Sequence, residues 1–289
     1  MNIYLYYRTY WGDPKSVGMS GRNILAKNKI ELVTTTIKSL ELNTISKIFT
    51  CACVDLSTQA YTNFLEEKFD EVFHTSEGFD VNDHSGYWPI FGTKGNLIKV
   101  LNHISSKNHK DNDIILLLED DYLFDSNGFR KWIEACVSLD GFVSPFDHPD
   151  RYYRNDDLFF KKSKIFICNN HHFRNCESTT SVVGGRYYYF RKTHFLRKLP
   201  RFHVWFFWPG RIFGKELHSI DRVFYRRAYF FLRVKLFSPI PGFAVHLSQF
   251  IPPEKKSTLK KNIVIIPDTQ LSPGVDWENR YIDLNTSYK

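Results

Sequence analysis

The aliphatic residues Ile114-Ile115-Leu116-Leu117-Leu118, inside the run Asn112–Phe124, restrict what this chain can fold into more than any other stretch. A strand with one wet face alternates apolar and polar side chains. This run does not alternate, so it predicts a strand buried on both faces of a parallel sheet. Glu119-Asp120-Asp121 follow where that strand should end. In open α/β sheets, ligands bind beyond the carboxyl ends of the strands. Adjacent acids repel one another, so a folded chain must solvate them or supply a counter-ion. Two readings stand side by side: a solvated acidic turn after a core strand, or a divalent cation on carboxylate oxygens that would in turn hold phosphates.

The flanking sequence supplies a sheet for that strand. Ile3–Tyr7 reads as a first strand and Arg8–Arg22 as a polar loop. Ile24–Leu40 has helical spacing of apolar residues, and Ser46–Val54 reads as a second strand closed by Asp55-Leu56-Ser57-Thr58. Ser57 or Thr58 can cap the helix that follows. Glu71–His74 is a short third strand, Ser76–Gly92 a loop, and Lys94–Ser105 a helix with Leu97, Val100, Leu101 and Ile104 on one stripe. This alternation predicts an α/β fold with a mostly parallel, doubly wound sheet.

The pattern changes near residue 140. After a helix over Gly128–Leu139, Gly141–Pro145 reads as a strand and Asp147–Asp157 as a charged aromatic loop. Lys164–Asn169, Ser178–Val183 and Tyr187–Arg191 read as short strands, with Gly184-Gly185 as a hairpin turn or as a backbone wall beside a ligand. A helix is expected through Ser219–Leu232, a last apolar run at Phe243–Leu247, and an extended, partly loose tail from Pro252.

Composition narrows the class of function. At 289 residues with 43% hydrophobic content, the chain has material for a real core. The net charge of +8 favours anionic partners, and the excess gathers at Arg186–Arg201, Arg222–Lys235 and Lys255–Lys261. No helix-turn-helix, zinc-finger or RNP signature is present, which argues against nucleic acid as the partner. Cys51, Cys53, Cys136, Cys168 and Cys176 have neither zinc-site nor disulfide spacing, which points to a reducing, cytoplasmic setting. The N-terminus lacks the pattern of a signal peptide, and no apolar stretch is long enough to span a bilayer.

Three segments, in order, carry a resemblance to a known family. Cys53-Val54-Asp55-Leu56-Ser57-Thr58 is similar to a "VDDGST" strand ending. Gly92-Thr93-Lys94-Gly95-Asn96 opens a helix like a "GKGxA.N" segment. Leu118-Glu119-Asp120-Asp121 stands at the place of a DXD motif, with Glu in its first position. Together they resemble the GT-A-fold, nucleotide-sugar-dependent glycosyltransferases of the family 2 type, well over residues 1–125 and loosely beyond.

The resemblance implies one catalytic domain over residues 1–250. Residues 1–140 would be its nucleotide-sugar half and 141–250 its acceptor half, followed by a tail over 251–289. It implies Mn²⁺ or Mg²⁺ held by Asp121, with a late histidine, His246, as a further ligand. Arg8, Asp55, Lys94, Asn96, Glu119 and Asp120 would face the donor. An inverting transfer needs a base for the acceptor hydroxyl. Asp221, in the first turn of a helix, is the first choice, and Asp147, in Phe146-Asp147-His148-Pro149-Asp150, the second. The expected partners are a nucleotide-sugar and a saccharide or lipid-linked saccharide, in surface glycan synthesis. Trp205-Phe206-Phe207-Trp208-Pro209, flanked by Arg201 and Arg211, reads either as an interior or acceptor-site wall or as peripheral membrane contact. A sugar-phosphate nucleotidyltransferase is the rival enzyme, but it needs a Gly-rich loop directly after strand one. Gly18-Met19-Ser20-Gly21-Arg22 lies far from that position.

Overall fold

A computed structural model describes residues 1–10, 25–55, 57–75, 92–148, 164–176, 182–198, 220–247, 249–250, 266–272 and 274–286. The elements run β1 (Ile3–Tyr10), α1 (Lys29–Ser39), β2 (Ile48–Asp55), α2 (Gln59–Glu66), β3 (Glu71–His74), α3 (Gly92–Ser106), β4 (Ile114–Glu119), β5 (Tyr122–Phe124) and α4 (Gly128–Ser138). They continue with β6 (Gly141–Val143), β7 (Ile165–Cys168), β8 (His171–Asn175), β9 (Val183–Arg186), α5 (Tyr187–Lys198), α6 (Ile220–Leu232), β10 (Lys235–Ile240) and β11 (Ala244–His246). Last come β12 (Gln249–Phe250), β13 (Ile266–Pro267), α7 (Asp268–Leu271) and α8 (Trp277–Thr286).

Among the described residues, nine strands form one sheet in the order β3-β2-β1-β4-β9-β6-β10-β8-β7. β3, β2, β1 and β4 are parallel neighbours, while β9 and β8 run against the strands beside them. The aliphatic run is β4, at the inside of the sheet, and its five aliphatic side chains are fully buried. Each contributes roughly 1.5–3 kcal/mol by leaving water. The strand alternation sorts those side chains to two faces. Leu5, Tyr7, Val54, Leu116 and Leu118 pack with Tyr61 of α2, Trp132 of α4 and Trp277 of α8. Tyr6, Cys51, Cys53, Ile115 and Leu117 pack with Val100 and Ile104 of α3, Phe190 of α5 and Tyr225 of α6. The fold is α/β, with helices on both faces of a mostly parallel sheet, as expected from the sequence.

Local chemistry explains several boundaries. The Asn28 side chain accepts from Glu31 N and starts α1, and Thr58 accepts from Tyr61 N and starts α2. Other expectations need correction. Tyr187–Arg191 is not a strand but the start of α5, a helix that buries Tyr187, Tyr189, Phe190 and Leu196. Gly184-Gly185 is not a hairpin turn but the middle of β9, paired with Leu116 and Ile115 of β4. A Cβ on Gly184 would stand 2.6 Å from both Cys136 Sγ and Leu116 Cδ2, so the glycine permits close packing of α4 on the sheet. Gly184→Val should therefore cost about 1–3 kcal/mol, the usual penalty of overpacking. Urea unfolding should show a lower midpoint with an unchanged slope.

The expected loose tail is ordered over its last helix. Trp277 and Tyr281, four apart in α8, are buried, and α8 lies on α1. Tyr281 hydroxyl donates to Glu31 Oε1 at 2.9 Å, and Lys38 Nζ to Leu284 O at 2.9 Å. The Gly18–Arg22 segment, Ser76–Phe91, Asp150 and Arg151, Ser178–Ser181, Ser219 and the Trp205–Pro209 cluster lie outside the described residues. Among the described residues, no helix is long and apolar enough to cross a membrane.

Candidate active site

The carboxyl end of β4 is where the chain leaves the large sheet. Asp120 and Asp121 form a two-residue turn, and β5 then pairs with β11 in a separate ladder. That ladder places His246 opposite Tyr122, and Leu247 N donates to Asp121 O at 2.7 Å. Asp121 and His246, 125 positions apart, thus meet: Asp121 Oδ2 lies 2.8 Å from His246 Nε2. Tyr122 stacks on the imidazole at 4.8 Å between centroids, and Phe146 meets it edge-on at 6.2 Å, so the ring is held in place.

The two oxygens of Asp121 differ. The side chain keeps 31% of its surface, yet Oδ1 is inaccessible to solvent and has no hydrogen-bond partner. A buried carboxylate oxygen without a partner is costly. Burial alone would raise this carboxyl, but His246 and, more weakly, Lys29 more than offset it. Its pKa lies below the ordinary value of 3.8. The folded state therefore favours the carboxylate, and the contribution of this charge to folding is lost only as the pH falls through that lowered value.

The neighbouring acids have cations inside the protein. Arg8 and Glu119 are register partners at the ends of β1 and β4, and Arg8 Nη1 donates to Glu119 Oε1 at 2.7 Å. Lys29, at the first position of α1, lies 2.5 Å from Asp120 Oδ2, with only 7% of its side chain exposed. Thr36 Oγ1 donates to Asp120 O, and Phe124 N donates to Ser39 Oγ, so α1 also holds the backbone of the turn. Lys29 was not foreseen from the sequence. A lysine at a helix start reads as a solvated charge, and its partner is 91 positions away.

The other expected residues fall as follows. Asp55 is the last residue of β2, buried, in register with Tyr10 at the same edge of the sheet as Arg8 and Glu119. Lys94 and Asn96 sit in the first turn of α3, which crosses from β3 to β4; their side chains lie outside the described residues. Asp221 is the second residue of α6, and its side chain also lies outside them. β10 is parallel to β6, α6 packs on β10, and a two-residue link joins them. A helix that returns to the start of a strand begins at that strand's far end. The first turn of α6 thus stands at the carboxyl edge.

Asp147 differs from the other acids. It follows Phe146, whose ring meets His246, but its Oδ1 is ion-paired with Arg174 Nη2 of β8. Only 4% of the Asp147 side chain is exposed.

No protein-family model matches the chain, and no curated protein matches it. Among solved structures, it is similar to galactosyltransferase LgtC in complex with donor and acceptor sugar analogs, with 11% identity over 78% of this chain and 70% of that one, TM-score 0.40. S. aureus TarS 1-349 aligns with 12% identity over 82% and 60% of the two chains, TM-score 0.41. The inositol-1-phosphate CTP transferase from T. maritima aligns with 13% identity over 100% and 98%, TM-score 0.44. Glycosyl- and nucleotidyltransferases thus both occur among these neighbours. Likeness at this level does not choose between them.

Proposed function

We propose that this protein is a metal-dependent glycosyltransferase. It would move one sugar from a nucleoside-diphosphate sugar to a hydroxyl of a saccharide or lipid-linked saccharide, in the synthesis of a surface glycan. The observation that carries this reading is Asp121: one oxygen against His246 Nε2, the other buried without a partner, at the carboxyl end of an inner strand. Carboxylate plus imidazole is a donor set that suits Mn²⁺ and tolerates Mg²⁺. The orphaned oxygen gives such an ion a reason to sit there. Asp121 and His246 would hold it, and the ion would neutralise the charge that develops on the departing diphosphate.

The remaining residues have work that follows from their positions. Arg8 and Lys29 fix the Glu119 and Asp120 carboxylates, which would face the ribose or the donor sugar. Asp55 would accept from the nucleoside, and Lys94 and Asn96 would lie over the donor from the start of α3. Asp221 would take the acceptor proton in an inverting transfer. Asp147 is the second candidate for that role, because its carboxylate is ion-paired with Arg174.

A thermal-shift screen of UDP-, GDP-, CMP- and dTDP-sugars, with and without Mn²⁺, tests the reading. One donor should raise Tm only when Mn²⁺ is present. At 100 times its dissociation constant it should add about 2.7 kcal/mol of stability. Stabilisation by free nucleoside triphosphates, with pyrophosphate release from a triphosphate and a sugar phosphate, would replace this reading with a nucleotidyltransferase.

A further inference from the structure

A second metal-ligating cluster lies away from this site, on the face of the sheet covered by α3. Cys51 and Glu71 are register partners on β2 and the edge strand β3, and His103 comes down on them from the last turn of α3. Their ligand atoms, a thiol sulfur, a carboxylate oxygen and an imidazole nitrogen, all lie within 4.8 Å of one another. The corresponding spacing around a tetrahedral zinc is about 3.5 Å, from bonds of about 2.0–2.3 Å. Side-chain rotations of about 1 Å close the difference.

The local chemistry has the features of a cation site. His103 Nε2 is 3.1 Å from Glu71 Oε1, yet it is inaccessible and not aligned for a hydrogen bond with it. Phe73 stacks on the imidazole at 3.9 Å and Tyr6 meets it edge-on, so the ring cannot easily swing away. Lys107 Nζ is 2.9 Å from both Glu71 oxygens and can keep Oε2 while Oε1 turns to a metal. Cys51 is fully buried, out of reach of a substrate, so a nucleophilic role does not fit. Cys53, two residues on, packs in the same buried cluster on that face of β2.

We infer that Cys51, Glu71 and His103 form a structural site for Zn²⁺. The mixed sulfur, nitrogen and oxygen set favours zinc over the hard cations Mn²⁺ and Mg²⁺. Binding replaces the Cys51 thiol proton with zinc and releases that proton to water. The site clips the edge strand to the helix whose opposite end carries Lys94 and Asn96. It thereby fixes the pose of α3 without touching a donor.

The test uses the whole purified chain, stripped with a chelator and titrated with Co²⁺ or Zn²⁺ alone. One equivalent of Co²⁺ should produce the intense visible bands of a tetrahedral site and a near-ultraviolet thiolate charge-transfer band. Asp121 and His246 offer no sulfur, so that band reports only the second site, whether or not the glycosyltransferase reading stands. Zn²⁺ should raise Tm by several degrees, as binding to the folded state requires. Cys51→Ala and His103→Gln should each lose the charge-transfer band and the zinc shift, while Cys168→Ala should keep both. His103→Gln is the decisive variant if Cys51→Ala folds poorly, because His103 packs from a helix rather than within the sheet. Absence of the band in the wild type, or its survival in His103→Gln, would overturn the site.

Discussion

Asp121→Ala should fold normally and lose donor turnover by several orders of magnitude. The folding half follows from the surroundings. Asp121 keeps 31% of its side-chain surface, and its partner His246 stays held by Tyr122 and Phe146. A partly exposed side chain leaves little packing to lose, so the change in Tm should be small. The turnover half follows from charge. A diphosphate leaves with a developing negative charge, and electrostatic stabilisation is commonly the largest single contribution to such a step. Asp121→Asn is the sharper variant because it keeps the shape and one oxygen but removes the charge. It should be nearly as inactive as the alanine variant. His246→Gln should lose less, since the carboxylate remains. The measurements are donor hydrolysis and transfer at saturating Mn²⁺, with circular dichroism and Tm as controls for folding. Full activity of the wild type in EDTA would remove the metal from the mechanism, and Asp121 with it.

The parallel strands were legible in the sequence, but the pattern ends the first one at Tyr7 and puts Arg8 in a loop. In the structure β1 runs on to Tyr10, and constant register then sets Arg8 beside Glu119 as it sets Ile3 beside Ile114. The acidic turn stood out because it ends a short aliphatic run without alternation, the pattern of an inner strand. Glu71–His74 was legible as a strand at its observed bounds. Elements whose burial is set by distant partners were not legible. The aromatic run Tyr187–Phe190 looks like a strand, but its side chains fill a helical face against Phe142. β10 contains Pro239, a residue that argues against a strand, yet it pairs with β8 on one side and β6 on the other. α8 has too few apolar residues to announce itself; Trp277 and Tyr281 suffice because α1 waits for them. His246 stood out in the sequence as a late histidine in an apolar run, a ligand by resemblance alone. Its contact with Asp121 depends on the β5–β11 ladder, which no local pattern encodes. The zinc ligands were invisible in cysteine spacing, because only one of the three is a cysteine and the others come from different elements.

Asp221→Asn should cut transfer by about 10²–10⁴, the usual worth of a general base, while donor and Mn²⁺ affinity stay nearly unchanged. The base acts on the acceptor hydroxyl, so its loss spares the binding of the donor. Asp221 is the second residue of α6, so its backbone is held by a helix rather than by a loop. Asp147→Asn is the matched comparison, and the structure gives it a different signature. Its carboxylate is ion-paired with Arg174 in a nearly closed setting, so removing the charge breaks a largely buried ion pair. Breaking such a pair costs about 3–5 kcal/mol. Asp147→Asn should thus appear first as a drop in Tm and in the urea midpoint, with activity falling in proportion to the folded fraction. A kcat measurement on the folded fraction separates the two acids. Loss of turnover in Asp221→Asn at unchanged Tm assigns the base to α6. A stable but inactive Asp147→Asn beside an active Asp221→Asn would move it to Asp147 and make Arg174 its positioning partner. If both variants turn over normally once folding is accounted for, neither acid takes the proton, and either another residue is the base or transfer retains configuration. The anomeric form of the product, read by NMR, decides between the two.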